Sequence, residues 1–278
     1  MIKRLFAIVL LALSALTHAA QPLTVIVPNG AGSLGDTAVR FFAPLIEKEL
    51  ERPVVVQNLP GANGLIGINA YQQLPHDGNS IVITGTQLVF LTKQGHNVEG
   101  LEPLHGLAHT PQQILVPANS PAKTVADLLA IQKQKGFLNG GTSHPATEVS
   151  MGLLDKAIGT NTTLVKYKQS SQLATDIAGG FIDYTIGGKG NSATAGFVAS
   201  GQIRVIGMLD DFKVEGFSWN GFFIHADAPA PIKQKLSAAI SKVLRSPEAE
   251  KFHQDRFLAD RKTIEKLLAK EFTLIPNQ

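Results

Sequence analysis

One segment near the amino end restricts the architectures open to this chain more than any other. Leu23-Thr24-Val25-Ile26-Val27, five β-prone residues, runs into the glycine-rich stretch Pro28-Asn29-Gly30-Ala31-Gly32-Ser33-Leu34-Gly35 and then Asp36. Beyond Asp36, apolar residues recur at Val39, Phe42, Ala43, Ile46 and Leu50, close to the 3.6-residue period of a helix. Strand, loop and helix in that order open a βαβ unit, with Asp36 placed to cap the helix.

The same alternation recurs down the chain. Strands are expected at Val54-Val55-Val56, Ile81-Val82-Ile83, Ile114-Leu115-Val116, Thr163 to Tyr167, Tyr184-Thr185-Ile186 and Ile203 to Ile206. Between them, helical patterns cover Gly64 to Leu74, Thr124 to Gln134, Ser150 to Ile158, Ser171 to Ala178 and a segment from Ala193 to Ala199. Alternating strands and helices imply parallel sheets and an α/β fold. Polar or proline-bearing connections after Val116 and around Ser218 to Gly221, with a helical end beyond Pro231, split the chain into two lobes. Lobe I is expected over 20–115 and 222–278, and lobe II over 116–221.

Ligands of open parallel sheets bind off the carboxyl ends of the strands. The loops expected there are Asn29 to Ser33, Thr84 to Gln87, Asn139 to His144 and Gly187 to Ser192, rich in Gly, Ser, Thr and Asn. These are hydrogen-bond donors, and glycine amides at a helix start suit an anion. The candidate ligand-binding residues are therefore Asn29, Gly30, Ala31, Gly32, Ser33, Thr86, Gln87, Gly140, Gly141, Thr142, Ser143, Thr147 and Gly187. Asp36, Tyr167 and Lys189 join them with competing structural readings: a helix cap, lobe packing and a solvated surface cation, respectively.

The first residues carry Lys3 and Arg4 before an apolar run from Leu5 to Leu16, then Thr17-His18-Ala19-Ala20. Such a run is shorter than the ~20 residues a spanning helix needs, and small Thr17 and Ala19 fit a cleavage site. A signal peptide over 1–19 and export to the periplasm are expected. Loss of Lys3 and Arg4 leaves 23 basic against 22 acidic residues, and with no basic run this excludes a nucleic-acid footprint. Cysteine is absent, which excludes disulfides, thiol catalysis and cysteine metal sites.

Two sharper readings compete with plainer ones. Ser143 beside His144 lacks a Gly-x-Ser-x-Gly elbow, so no catalytic residue is assigned. His96, Glu99, Glu102, His105 and His109 are the densest set of metal-ligating types, but without a His-Glu-x-x-His spacing they read as a polar surface stretch. No metal and no cofactor are expected.

At the level of motifs, the chain resembles the solute receptors of tripartite tricarboxylate transporters, the Bug family. The family's P-x-x-P-G-G-x-x-D with x-x-A-R lines up with Pro28 to Asp36 and Arg40. Its V-V-V-E-N-R-P-G-A-G-G-x-x-G lines up with Val54 to Gly67, and its P-D-G-Y-T with His76 to Ser80. Pro121 to Leu129, Val165 to Lys168, Thr175-Asp176 and Gly179-Gly180 through Asp183 continue the match.

The resemblance implies a type II periplasmic-binding-protein fold, two α/β lobes joined by two crossing strands with a ligand cleft between them. It also implies a monomer without enzymatic activity that captures a small carboxylate with Asn29 to Ser33 and Gly140 to Ser143, for delivery to membrane permease subunits. The same cleft would serve a ligand-presenting partner of a sensor kinase, and a periplasmic hydrolase is the remaining alternative. The chain departs from the pattern at Ala31 and Ser33, at Glu148 where many relatives have His, and at Gly187 or Lys189 where a recurrent Asp is missing. These changes imply a site kinder to anions.

Overall fold

The computed structural model describes residues 21–31, 33–189, 192–214, 219–253 and 260–274. The expected leader, Gly32 and Ser218 lie outside the described residues. Ten strands and ten helices are described. They are β1 (Leu23–Val27), α1 (Leu34–Leu50), β2 (Val54–Asn58), α2 (Leu65–Gln72), β3 (Ser80–Gly85), α3 (Thr86–Lys93), β4 (Leu101–His109), β5 (Gln112–Pro117), α4 (Val125–Lys135) and β6 (Leu138–Thr142). There follow α5 (Pro145–Ile158), β7 (Thr162–Lys166), α6 (Ser170–Ala178), β8 (Tyr184–Gly188), α7 (Ser192–Ala199), β9 (Ile203–Met208), β10 (Trp219–His225), α8 (Ala230–Leu244), α9 (Pro247–His253) and α10 (Arg261–Leu274).

The strands form two five-stranded sheets, ordered β2-β1-β3-β10-β4 and β7-β6-β8-β5-β9. In each, three strands run parallel and the fourth, β10 or β5, runs antiparallel to both its neighbours. The sheets are mixed because each fourth strand belongs to a crossing. The chain leaves the first sheet by β4, enters the second through β5, and returns through β10.

Both faces of each sheet are covered, which explains continuous apolar runs such as Thr24 to Val27. On β1, Leu23, Val25 and Val27 join a core with Phe42, Ile46 and Ile240, while Ile26 joins a second core with Ile68, Tyr71 and Trp219. On β5, Ile114 and Val116 pack with Leu138, Met151 and Ile186, while Leu115 packs with Leu173, Ile177 and Ile182. A further cluster bridges the lobes: Val89 and Phe90 of α3 meet Ala146 and Leu153 of α5, and Leu268 and Phe272 of α10.

Two boundaries move. The whole of Gln112–Pro117 pairs within the second sheet, so the first crossing lies at Thr110-Pro111 rather than at Val116. Likewise Trp219-Asn220 already pair with the first sheet, so the return lies between Met208 and Trp219 rather than at Gly221. At the first, pairing begins ahead of the apolar triplet Ile114-Leu115-Val116 that marks the strand; at the second, pairing covers Trp219 and Asn220, which read as part of a polar connection.

Candidate ligand-binding site

A cavity of about 840 Å³ opens between the two sheets. One wall carries Asn29, Gly30, Ala31, Ser33, Thr86, Gln87, Trp219 and Asn220, and the other carries Ser143, His144, Thr147, Ser170, Gly187 and Lys189. The first turns or caps of α1, α3, α5, α6 and α7 all contribute, so five helix amino ends converge there. Each presents main-chain amides and the positive end of its dipole. α3 and α6 begin without a side-chain cap.

The first wall is built by the loop after β1. Ser33, not Asp36, caps α1, its hydroxyl accepting from the Asp36 amide at 3.3 Å. Asp36 is 3% exposed and lies outside the cavity lining, correcting its assignment as a cap and removing it from the surface a ligand would touch. Its Oδ1 accepts from Arg40 Nε and Asn58 Nδ2, both at 2.9 Å, and Asn58 also donates to the Asn29 carbonyl at 3.2 Å. Asp36 thus ties helix, second strand and first loop together.

The second wall departs further from expectation. Leu138–Thr142 is a strand, and Gly140, Gly141 and Thr142 are buried in it, away from the cavity lining. A Cβ at Gly140 would lie 2.5 Å from Thr162 Cγ2, and one at Gly141 would lie 2.2 Å from Ile182 Cδ1. These glycines make room for core side chains. The Thr142 hydroxyl donates to the His144 carbonyl at 3.0 Å, shaping the turn into α5. Tyr167 also lies outside the lining and packs with Leu173 and Ile177, its phenol raised to about 12 by burial and by Asp176.

Ser143 and His144 do reach the cavity, but separately. Ser143 Oγ bonds Ser170 Oγ at 3.0 Å, and His144 Nδ1 accepts from the Ala146 amide at 3.1 Å as the cap of α5. Burial pushes His144 down to about 4. It is therefore neutral near pH 7, with the proton on Nε2 as a donor.

Residues the sequence reading missed lie at the floor and the far wall. Thr110 and Gln112 sit at the first crossing, Trp219 and Asn220 open β10, and Gln169 to Ser171 begin α6. The last group carried a usable signal, a polar run between a strand and a helix. Thr86 and Gln87, expected in a loop, open α3 and are buried. Among the described lining residues Lys189 is the single formally charged group and no carboxylate occurs; Lys189 is exposed, its amide donating to the Pro111 carbonyl at 2.9 Å.

The polar stretch from His96 to His109 does not gather around one point. His105 is buried in β4 with Nδ1 2.6 Å from the Gly106 carbonyl, and Glu102 pairs with Lys233 at 3.1 Å. The His109 side chain lies outside the described residues. Among the described residues, His76, His225 and Asp227 bring potential ligand atoms within 4.8 Å of one another. Yet the imidazoles are stacked at 3.6 Å and 18°, and His76 Nδ1 is bound to Asp227 at 2.7 Å. Imidazole lone pairs lie in the ring plane, so two stacked rings cannot aim at one ion, and the trio is a hydrogen-bonded His76–Asp227 pair on a Tyr71–His225–His76 stack.

This architecture, two sheets crossed by two strands around a cavity, is carried by a chain that a family model matches over most of its length. The model of the tripartite tricarboxylate transporter family receptor, TctC, matches residues 38–215. The chain belongs to the TctC receptor family. It is thus a TctC/Bug-type periplasmic solute-binding protein, and the type II binding fold follows with it. A similar protein of Agrobacterium vitis, a UPF0065 protein in the TAR-I ttuE-ttuC' intergenic region, is 29% identical over 257 residues, 83% of this chain and 73% of its own. Among solved structures, R. palustris Rpa4515 with adipate has a TM-score of 0.80 at 20% identity, covering 92% of this TctC receptor and 95% of that chain. MatC from Rhodopseudomonas palustris with bound malate has a TM-score of 0.75 at 18% identity, covering 91% and 97%.

Proposed function

We propose that this receptor captures a small carboxylate between its lobes in the periplasm, performs no chemistry on it, and delivers it as a monomer to the permease subunits of a tripartite tricarboxylate-type transporter. The observation that carries the reading is the cavity's polarity. Helix amino ends, hydroxyls and the neutral His144 supply donors, and no described lining residue supplies a carboxylate. Each helix end favours an anion by about 0.3–1 kcal/mol, and a hydrogen bond to a charged acceptor contributes about 1.5–3 kcal/mol. A few such contacts overcome the cost of immobilising a small ligand. Similarly folded proteins solved with malate and with adipate support a carboxylate of that class. Ser143 is bonded to Ser170 rather than to His144, so the lining offers no activated hydroxyl at that pair.

A thermal-shift screen of di- and tricarboxylates, amino acids and aromatic acids tests the reading. A carboxylate at 100 times its dissociation constant should add about 2.7 kcal/mol of stability. Lys189→Ala should weaken binding by under ~1 kcal/mol, because the side chain is exposed and main-chain amides hold the anion. Silence from every acid, or turnover of one, would overturn the proposal.

A further inference from the structure

Among the described residues, Glu271 is the buried acid whose carboxyl bonds side chains that line the cavity, and the capture of an anion makes no use of it. Glu271 sits on α10, is 2% exposed, and receives two hydrogen bonds on the same oxygen. Trp219 Nε1 donates to Oε1 at 2.7 Å and the Thr86 hydroxyl donates to it at 3.1 Å. Both donors line the cavity, Thr86 at the uncapped start of α3 and Trp219 at the start of β10. Oε2 is buried and makes no hydrogen bond among the described residues.

We propose that Glu271 is a positioning residue of the cleft: its buried carboxyl fixes the Thr86 hydroxyl and the Trp219 indole at the cavity floor. The inference rests on the carboxylate reading only for its benefit to the ligand; the positioning itself concerns the unliganded protein. Glu271 is separated from both partners by more than fifty residues of sequence, so the contact exists only when the carboxyl-terminal helix docks onto the first sheet.

The charge state follows from the surroundings. Burial raises the Glu271 carboxyl to about 8, and the bonds from Trp219 and Thr86 pull the other way without cancelling it. The titratable groups on the packed elements are Lys93 on α3, Glu102, His105 and His109 on β4, His225 on β10, and Glu148, Asp155 and Lys156 on α5 with His144 at its cap. Glu102 is held by Lys233 and Glu148 by Lys166, and no charge contributes to the shift at Glu271. Because the folded value lies above the unfolded one, the associated stability is fully present below about 4.5, is lost as pH rises toward about 8, and changes no further above it.

Trp219 is the sole tryptophan of the chain, so its emission reports this contact directly. Unliganded protein should show a one-proton change in Trp219 emission centred near pH 8. Glu271→Gln, which keeps the acceptor and the shape, should fold and abolish the transition, and its stability should stay level where the parent's falls. Thr86→Val removes a donor that favours the ionised form and should move the midpoint upward. An emission profile flat across the range in the parent, a transition that survives in Glu271→Gln, or a Thr86→Val midpoint that is unchanged or lower would overturn the proposal. Adipate titrations of parent and Glu271→Gln separate the two readings. If the emission results hold while adipate and the other screened acids fail to bind, the carboxylate reading falls and the positioning role stands.

Discussion

A methyl group added at Gly67 would sit 2.6 Å from the Leu59 carbonyl oxygen and 2.8 Å from Pro28 Cα. Gly67 therefore lets α2 press against the backbone at the root of the first cleft loop, and Gly61 and Gly64 in the same motif adopt φ of 132° and 90°. The motif Pro60 to Gly67 is a mould for the binding loop rather than a ligand contact in its own right. Alanine at Gly67 would gain at most about 1 kcal/mol of helix propensity but force backbone apart, at about 1–3 kcal/mol. Gly67→Ala should lower stability to urea, whereas Gly152→Ala in α5, where an added Cβ meets nothing within 4 Å, should raise it by roughly 0.5–1 kcal/mol. Equal responses at the two sites would refute the close-approach argument.

Elements were legible where local pattern and tertiary role agree. β1, β2, α1, α4 and α6 carry clean apolar periods, and their bounds lie close to those read from the chain. β4 was hidden because Leu101 to His109 mixes Glu, Pro and two His with its apolar residues, and its strand character comes from pairing with β10. β6 was hidden because Asn139, Gly140 and Gly141 depress any strand signal, although the glycines are there to admit Thr162, Ile182 and Leu173. α3 follows β3 with no turn between them, so its first residues read as loop. The same blind spot explains the site: loop composition located the walls, while Trp219, Thr110 and the reach of α10 depend on contacts remote in sequence. Asp36 belongs to this scale too, since it joins α1 to β2. Asp36→Ala should leave Arg40 and Asn58 without their shared acceptor and cost about 1–3 kcal/mol in a denaturation midpoint. A loss below that range would mean that Ser33 and the helix hold the loop unaided.

At the scale of the whole molecule, two crossings and one apolar cluster join the lobes. Thr110-Pro111, the first crossing, pairs in neither sheet, and we propose that its backbone torsions change as the lobes close, as hinges commonly do at such connections. The cluster of Val89, Phe90, Ala146, Leu153 and Phe272 keeps α3, α5 and α10 in contact behind the cavity, so closure should pivot about it. X-ray scattering should show compaction at saturating carboxylate, and an unchanged profile would contradict hinge closure. Closure matters because it would bring the amino ends of α5 and α6 onto an anion held by those of α1 and α3. The most direct measurement of that central claim is calorimetry with a matched pair, a dicarboxylate such as adipate or malate and its diamide. The diacid that stabilises the protein in the screen should bind with release of heat and remain chemically unchanged, and its diamide should bind at least tenfold more weakly, the loss of about 1.4 kcal/mol of charge-assisted bonding. Equal affinity for acid and amide would contradict the account.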